Sequence, residues 1–443
     1  MKALIDTANR RTEQVFLIGV ELKSRSTWDV QDSLEELAEL ARTAGGAVVG
    51  TATQKLEKLL AGTFIGSGKA AELAARCKAE GVDTVIFDDE LTGAQARNLE
   101  KVFECKVLDR TSLILDIFAQ RARTREGKLQ VELAQLEHLL PRLTRYWGHL
   151  SRQSGGIGMR GGEGESQLEA DRRKVQERID KLREELAIVV RQRATQRAGR
   201  KRNEWPLASI VGYTNAGKST LLNQLTGSSV LAEDVLFATL DPTTRRLRLP
   251  TNQNVLISDT VGFIRKLPHD LVESFKATLE EVVEADLLLH VVDISHPQAD
   301  EQIAAVNAVL GELGAENKPT LMVFNKIDRF QMNGEFARYR ERFPHAVAVS
   351  AKLGDGISEL LGEISAALRP IREFVELRIP YDKPQVMARL HAEAQVIERD
   401  YKGRTARFKA RIPPHLRREF EPFIVPEAPI RRLGRKPRIA DPT

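Results

Sequence analysis

Residues 1–110 alternate short apolar runs with amphipathic segments. Apolar runs predict strands at Val15–Val20, at Thr84–Phe87 and from Val107, and apolar residues at helical spacing predict helices over Asp29–Ala44 and Gly93–Phe103. Strands and helices that alternate along a chain build α/β folds. The pattern therefore predicts a small α/β domain over residues 1–110.

Between residues 111 and 203 the apolar positions step mostly by three and four residues, the repeat of a helix that packs along one side. The first run is Leu129, Leu133, Leu136, Leu140, Leu143 and Trp147, and the second is Leu168, Val175, Ile179, Leu182, Leu186 and Val189. Two such helices with a break between them predict an antiparallel helical hairpin over residues 111–203. Pro141 is expected to kink the first helix rather than end it, because the run resumes at Leu143.

The break is the segment Ser154–Glu165, which has six glycines in twelve residues and cannot hold regular structure alone. Basic residues flank this predicted hairpin tip: Arg142, Arg145, Arg152, Arg172, Arg173 and Lys174. A disordered connector is the simplest interpretation. A connector does not need so many arginines, so we favour a flexible basic tip that contacts a partner.

The rest of the chain gives two further predicted domains, over residues 204–370 and 371–443. In the first, strands are predicted at Leu207–Val211, Val255–Ser258, Leu287–Asp293, Thr320–Phe324 and Ala346–Val349. Helical segments separate most of them, which predicts a doubly wound, mainly parallel sheet. In the second, a small α+β domain, strands are predicted at Val375–Pro380 and Arg404–Ile412, with a helix from Gln385 to about Gln395 and a loose basic tail from Pro426.

Composition narrows the class of protein. The chain has 443 residues, of which 42% are hydrophobic and 29% are charged, and these fractions are typical of globular proteins. No apolar run approaches the roughly 20 residues of a membrane span, and Met1–Arg11 lacks the apolar core of a signal peptide. The cysteines, Cys77 and Cys105, form no metal-binding motif. We therefore expect a cytoplasmic protein with no stable membrane insertion.

Positive charge is concentrated in two places, although the net charge is only +5. The clusters are Arg191, Arg193, Arg197, Arg200, Lys201 and Arg202, and Arg431, Arg432, Arg435, Lys436 and Arg438. Such clusters suit a polyanion such as RNA, but a solvated helix face and a loose tail explain them equally well.

One segment is a complete G-x-x-x-x-G-K-S phosphate loop, between the apolar strand Leu207–Val211 and a predicted helix Lys218–Leu225. Its residues are Gly212, Tyr213, Thr214, Asn215, Ala216, Gly217, Lys218 and Ser219. In this context the backbone N–H groups of residues 215–220 cradle phosphates at a helix N-terminus. Lys218 is expected to reach the β- and γ-phosphates, and the Ser219 hydroxyl to bind Mg²⁺.

Three further elements follow in the order found in GTPases. Asp259-Thr260-Val261-Gly262 matches D-x-x-G, with Asp259 holding Mg²⁺ through water and the Gly262 N–H sensing the γ-phosphate. Asn325-Lys326-Ile327-Asp328 selects guanine, because Asp328 can accept hydrogen bonds from guanine N1 and N2 that adenine does not offer. Ser350-Ala351-Lys352 matches the element whose backbone contacts guanine O6.

The segment Phe237-Ala238-Thr239-Leu240-Asp241-Pro242-Thr243-Thr244 occupies the place of switch I. A threonine here should bind Mg²⁺ only when the γ-phosphate is present, and Thr239, Thr243 and Thr244 all qualify by sequence. Phe263 stands directly after D-x-x-G, where many GTPases use a glutamine to orient the attacking water. We therefore expect slow hydrolysis by the protein alone, with a partner or a reordered switch completing the site.

A second glycine-rich stretch, Gly66-Ser67-Gly68-Lys69, resembles a fragment of a phosphate loop. It lacks the full spacing, so we predict a turn at the start of a helix instead.

With these residues in view, nearly the whole chain resembles the HflX family of translation-factor-class GTPases. The specific marks are Gly212–Thr220, Phe237–Thr243, Asp259–Phe263 and the glycine-rich loop between two helices. The resemblance points to Thr239 as the switch I ligand of Mg²⁺, and Phe263 fits because a hydrophobic residue is usual there. It implies catalytic roles for Lys218, Thr239 and Gly262, and metal contacts by Ser219, Thr239 and, through water, Asp259.

The expected nucleotide-contacting set joins these elements. It comprises Gly212, Tyr213, Thr214, Asn215, Ala216, Gly217, Lys218, Ser219, Thr220, Phe237, Ala238, Thr239, Leu240, Asp241, Asp259, Thr260, Val261, Gly262, Asn325, Lys326, Ile327, Asp328, Ser350, Ala351 and Lys352.

The resemblance also implies partners. Family members bind the large ribosomal subunit, bring the hairpin near the peptidyl-transferase centre and split stalled ribosomes under stress, and large-subunit RNA stimulates their GTP hydrolysis. They are also said to bind ATP in the N-terminal region, and no motif here locates such a site. The alternatives are an assembly checkpoint GTPase on immature large subunits and a nucleotide-switched RNA-remodelling protein. We expect a monomer, because the apolar runs can pair within the hairpin.

Overall fold

The structure is a computed structural model. It describes residues 12–22, 30–144, 163–201, 205–227, 236–237, 239–241, 243–266, 279–329, 334–368, 372–403, 405–413 and 416–425. Most of the predicted glycine-rich tip, Ala238, Pro242 and the basic C-terminal tail lie outside these ranges, as do the side chains of most of the basic cluster at residues 191–202.

The N-terminal part is a parallel four-stranded sheet with strand order β2-β1-β3-β4. Its elements are β1 (Gln14–Leu22), α1 (Val30–Thr43), β2 (Ala47–Leu56), α2 (Ser67–Glu80), β3 (Thr84–Phe87), α3 (Gly93–Phe103) and β4 (Lys106–Asp109). The predicted strands and helices are confirmed, whereas β2 was not predicted and α2 was predicted only at its start. Gly66 is the N-cap of α2, so the helix-start interpretation of Gly66–Lys69 is also confirmed.

Three helices follow this sheet: α4 (Arg110–Arg121), α5 (Arg125–Thr144) and α6 (Glu163–Lys201). Helix α5 does not end at Pro141, as predicted, and runs on to Thr144. The two longer helices share an apolar seam in which Leu129, Leu133, Ile179 and Leu182 are buried. Hydrogen bonds from the Arg178 guanidinium to the Glu132 carboxylate, at 2.8 and 2.9 Å, flank the seam.

The central sheet has six strands in the order β10-β9-β8-β5-β7-β6. Its elements are β5 (Leu207–Gly212), α7 (Lys218–Thr226), β6 (Thr243–Arg248), β7 (Asn254–Asp259), α8 (Glu280–Glu284), β8 (Leu287–Asp293), α9 (Ala299–Glu312), β9 (Thr320–Asn325), α10 (Gly334–Arg342), β10 (Val347–Ala348) and α11 (Ile357–Ala367). All neighbouring strands are parallel except β6, which runs antiparallel to β7. The mainly parallel sheet is confirmed, and β6 is an edge strand that the sequence did not predict.

The C-terminal part is an antiparallel three-stranded sheet with strand order β11-β13-β12. Its elements are β11 (Glu373–Pro380), α12 (Pro384–Glu393), β12 (Gln395–Lys402), β13 (Thr405–Ile412) and α13 (Arg417–Phe420). The helix expected to reach Gln395 ends at Glu393, because Gln395 already pairs with Arg411 in the sheet. Strand β12 is a further element that the sequence did not predict.

One hydrophobic core joins the N-terminal part to the central sheet. It includes Ile114 and Phe118 of α4 together with Tyr213, Phe237 and Phe263. The rings of Phe118 and Phe237 meet edge to face with centroids 4.7 Å apart. Among the described helices, none is both long enough and apolar enough to cross a membrane.

Candidate nucleotide site

The phosphate loop joins β5 to α7 and requires glycine at two points. At Gly212, with φ +149°, a Cβ atom would lie 2.2 Å from the Val291 carbonyl oxygen. At Gly217, with φ +90°, it would lie 2.3 Å from Asn325 Nδ2. The loop therefore packs closely against residues of β8 and β9, and its position at the carboxyl ends of the strands is where open α/β sheets bind ligands.

Ser219, Thr239 and Asp259 come together beside this loop. The Ser219 hydroxyl donates to Asp259 Oδ2 at 2.6 Å, and Thr239 Oγ1 lies 2.9 Å from Ser219 Oγ and 3.1 Å from Asp259 Oδ2. Of the switch I threonines left open by the sequence, only Thr239 joins this group. Thr244 instead contacts Glu281, and Thr243 begins β6.

The chemistry of this oxygen cluster fits Mg²⁺. Hydroxyl and carboxylate oxygens are the ligands that this hard cation prefers. Burial is the largest influence on Asp259 and raises the pKa of its carboxyl. Its Oδ1 has no hydrogen-bond partner within the described residues. A buried carboxylate with a spare oxygen is stabilised by a cation, so the residues present suit a magnesium ion.

Lys218 is buried at the start of α7. Its ammonium donates to the Tyr213 carbonyl oxygen at 2.6 Å. Burial, the largest cause, lowers the pKa of Lys218 to about 8, while the Asp259 carboxylate acts in the opposite direction. A Cβ atom placed on Gly262 would lie 2.9 Å from Lys218 Nζ, so the D-x-x-G glycine packs directly against the phosphate-loop lysine.

The predicted guanine elements lie at the other end of the loop. Asn325 Nδ2 donates to the Ala216 carbonyl at 2.8 Å, and Asn325 Oδ1 accepts from the Ala351 N–H at 3.0 Å. Asn325 thus ties the phosphate loop to the Ser350-Ala351-Lys352 segment. The Asp328 carboxylate is exposed, and a hydrogen bond of 2.7 Å from the Ser350 hydroxyl is the largest cause of its lowered pKa.

Two other expected residues have different surroundings. The Lys326 ammonium pairs with Asp293 at 2.7 Å. The Asp241 carboxylate accepts the backbone N–H groups of Arg123 and Thr124 at 2.8 and 2.9 Å, so it faces the start of α5 and not the Ser219–Asp259 cluster. Phe237 and Leu240 are buried in the shared core.

The segment after D-x-x-G is joined to the phosphate loop like a short strand. The Phe263 N–H donates to the Gly212 carbonyl at 3.1 Å, and the Thr214 N–H donates to the Phe263 carbonyl at 2.8 Å. The Thr260 hydroxyl also donates a 2.7 Å hydrogen bond to the Ile210 carbonyl of β5, the strand that leads into the phosphate loop. The Phe263 ring is 2% exposed within the shared core, so it is a packing side chain.

Sequence reasoning missed the residues through which the N-terminal part contacts this site. The Glu36 carboxylate of α1 accepts hydrogen bonds from the Tyr213 hydroxyl and from the buried Arg110 guanidinium. Lys266 pairs with Asp88 and Asp89. These residues belong to no motif, and their partners are distant in sequence, so a single chain offers no signal for them.

Comparison with known families and proteins agrees with this geometry. Family models match in succession: "GTP-binding GTPase N-terminal" over residues 31–119, "GTP-binding GTPase Middle Region" over residues 121–200 and "50S ribosome-binding GTPase" over residues 208–326.

Curated relatives match nearly the full length of the chain. The chain is 48% identical to "GTPase HflX" of Caldanaerobacter subterraneus subsp. tengcongensis, over 94% of this chain and 95% of the relative. It is 50% identical to that of Magnetococcus marinus, over 83% and 85%, and 48% identical to that of Escherichia coli, over 88% and 90%.

Proposed function

This chain belongs to the HflX family of GTPases, which hydrolyse GTP to GDP and phosphate, and we propose that it binds the large ribosomal subunit and splits stalled ribosomes under stress. The observation that supports the ribosomal partner is the match of residues 208–326, which hold the phosphate loop, the switch I segment and D-x-x-G, to the model described as a 50S ribosome-binding GTPase.

The proposed chemistry is attack of water on the γ-phosphate of GTP. Lys218, already held in place by the Tyr213 carbonyl, neutralises charge on the β- and γ-phosphates. The Gly262 N–H binds a γ-phosphate oxygen, and the Asn325–Ala351 contact holds the base-binding segment against the loop. Mg²⁺, held by Ser219 and Thr239 and through water by Asp259, would neutralise phosphate charge when bound.

The proposed dependence on a partner follows from Phe263. Its buried aromatic ring has no group that can hold a water molecule, so switch II offers no side chain at the usual water-orienting position. We therefore propose slow turnover by the protein alone and stimulation by the large subunit.

We propose that the two long helices form the arm that enters the ribosome. The apolar seam stiffens the arm, and exposed basic side chains at Arg172 and Arg173 lie toward its glycine-rich end, where they can contact RNA phosphates. The exposed positive charge toward this end supports the proposed contact.

The test combines two measurements. Steady-state GTP hydrolysis is measured with and without purified large subunits, with ATP as a parallel substrate, and intact ribosomes are incubated with protein and GTP before sedimentation on sucrose gradients. We expect large subunits to stimulate hydrolysis and ribosomes to separate into subunits. Stimulation without separation would favour the assembly checkpoint, and no effect in either assay would reject a ribosomal role.

A charge-matched pair of variants tests the arm. Arg172→Gln with Arg173→Gln should weaken splitting and reduce its salt dependence. Arg338→Gln with Arg340→Gln removes the same charge from the exposed surface of α10 and should split ribosomes as the unmodified protein does. Equal splitting by the two variants would contradict the proposed contact.

A further inference from the structure

Tyr213 is the second residue of the phosphate loop, and its side chain points away from the loop into the contact with the N-terminal part. It is 5% exposed. Its hydroxyl accepts the backbone N–H of Arg265 at 2.9 Å and donates to the Glu36 carboxylate. A single phenol therefore connects the phosphate loop, the segment after D-x-x-G and helix α1.

The backbone of Tyr213 also contacts the residues that are expected to bind the phosphates. Its carbonyl accepts the Lys218 ammonium at 2.6 Å. The residues on either side of it, Gly212 and Thr214, hydrogen-bond to Phe263. The hydroxyl contact to Arg265 thus extends by two residues a ladder that already aligns the switch II segment with the loop.

Ion pairs hold the Glu36 carboxylate in place within the N-terminal part. Its carboxylate pairs with Arg110, whose side chain is 2% exposed, and lies 3.9 Å from Arg265 Nε. Arg110 in turn pairs with Asp88 at 2.9 Å. A charged acceptor strengthens the bond that the phenol donates, and the surrounding ion pairs fix its position.

From this geometry we propose that the Tyr213 hydroxyl, anchored by Glu36, is a positioning group for GTP hydrolysis: it holds the chain after Gly262 in register with the phosphate loop. Gly262 carries the N–H expected to meet the γ-phosphate, and it lies three residues before Arg265. The N-terminal part then supplies, through Glu36, one component of the hydrolytic site. This inference requires GTP hydrolysis and is independent of the proposed ribosomal role.

The test is Tyr213→Phe, which keeps the ring in the core and removes only the hydroxyl. One hydrogen bond of this kind corresponds to a roughly 10-fold effect, so we expect kcat for GTP hydrolysis to fall by about that factor. The affinity for GDP should stay within about twofold, because GDP has no γ-phosphate for Gly262 to meet. Tyr339→Phe removes a hydroxyl that donates to the exposed Asp300 carboxylate at 3.3 Å, outside the contact between Tyr213, Glu36 and Arg265, so it is the matched control and should leave kcat unchanged.

Two further variants separate positioning from packing. Glu36→Gln keeps a side-chain oxygen that can accept from the phenol and should lower kcat less than Tyr213→Phe. Tyr213→Phe combined with Glu36→Gln should lower kcat no further than Tyr213→Phe alone, since in this proposal Glu36 acts on hydrolysis through the phenol. An unchanged kcat for Tyr213→Phe would overturn the proposal, and so would an equal loss of GDP affinity, because that would indicate a distorted phosphate loop.

Discussion

The positive charge of the buried Lys218 ammonium is poorly stabilised when no phosphate is bound. Burial lowers its pKa to about 8, whereas an exposed lysine titrates near 10.4. The charged form therefore costs folding free energy below about pH 8, and this cost disappears as the pH rises toward the unfolded value. Phosphate oxygens favour the charged form, so nucleotide binding should raise the pKa of Lys218.

The consequence is proton uptake on nucleotide binding. At pH 7 Lys218 is already charged and GDP binding should take up almost no proton through it. At pH 9 most of the lysine is neutral in the free protein, and uptake should approach about one proton per GDP. Titration calorimetry in two buffers of different ionisation enthalpy measures this difference directly.

Lys218→Arg is the control, because arginine stays charged across this range. Its GDP binding should lack the pH-dependent uptake even if its affinity is reduced. Uptake that is the same at pH 7 and pH 9 in the unmodified protein would contradict a depressed lysine pKa.

At the scale of elements, the strands predicted in the central sheet are those whose residues are largely apolar. In strand β8, Leu287–Asp293, every residue except Asp293 is buried, and the apolar sequence of this strand predicts that burial. Strands β2 and β6 are sheet edges with mixed side chains, and of the TTRRLR sequence of β6 only Leu247 is buried. Edge strands are specified by the neighbour with which they pair, and this neighbour is not visible in the local pattern.

The helical hairpin is an element whose stability depends on few contacts. Leu182 of α6 is completely buried in the seam between α5 and α6. Leu182→Ala should destabilise the seam by about 2–5 kcal/mol, because it removes buried apolar volume that a narrow two-helix contact cannot refill. Hydrogen exchange should accelerate across the middle of both helices, while exchange in β8 and basal GTP hydrolysis stay unchanged.

Ile188→Ala provides the control on the same helix, since the Ile188 side chain is 53% exposed. It should leave exchange in the seam within error. If the two variants behave alike, the seam does not hold the helices together.

At the scale of the molecule, both switch segments lie against parts of the chain that precede the phosphate loop. Asp241, two residues after Thr239, binds the start of α5, and Lys266, four residues after Gly262, pairs with Asp88 and Asp89. The nucleotide motifs could be found from sequence because their spacing is local. These long-range partners could not, because a carboxylate at position 241 gives no indication that it will meet residue 124.

This arrangement predicts that the hairpin senses the bound nucleotide through Asp241. The carboxylate accepts the N–H groups of Arg123 and Thr124 and also the Thr124 hydroxyl. Thr124 in turn caps α5, because its hydroxyl oxygen accepts the Gly127 N–H at 3.0 Å, so Asp241 holds the N-cap residue of that helix in place. When Thr239 moves to meet Mg²⁺ and the γ-phosphate, the Asp241 carboxylate two residues away should move with it and shift Thr124. Hydrogen exchange at residues 125–130 should therefore differ between the GDP-bound protein and the protein bound to a non-hydrolysable GTP analogue.

Asp241→Ala should abolish that difference and leave residues 125–130 in faster exchange with either nucleotide, because Thr124 loses the contact that holds it in place as the N-cap of α5. The affinity for GDP should be retained, since the Asp241 carboxylate faces α5 and not the phosphate loop. Asp300→Ala removes an exposed carboxylate that pairs with Arg342 at 2.9 Å, and it should preserve the nucleotide-dependent difference. A difference that survives in Asp241→Ala would show that other contacts couple the hairpin to the bound nucleotide. The ion pairs of Lys266 with Asp88 and Asp89 would then be tested next.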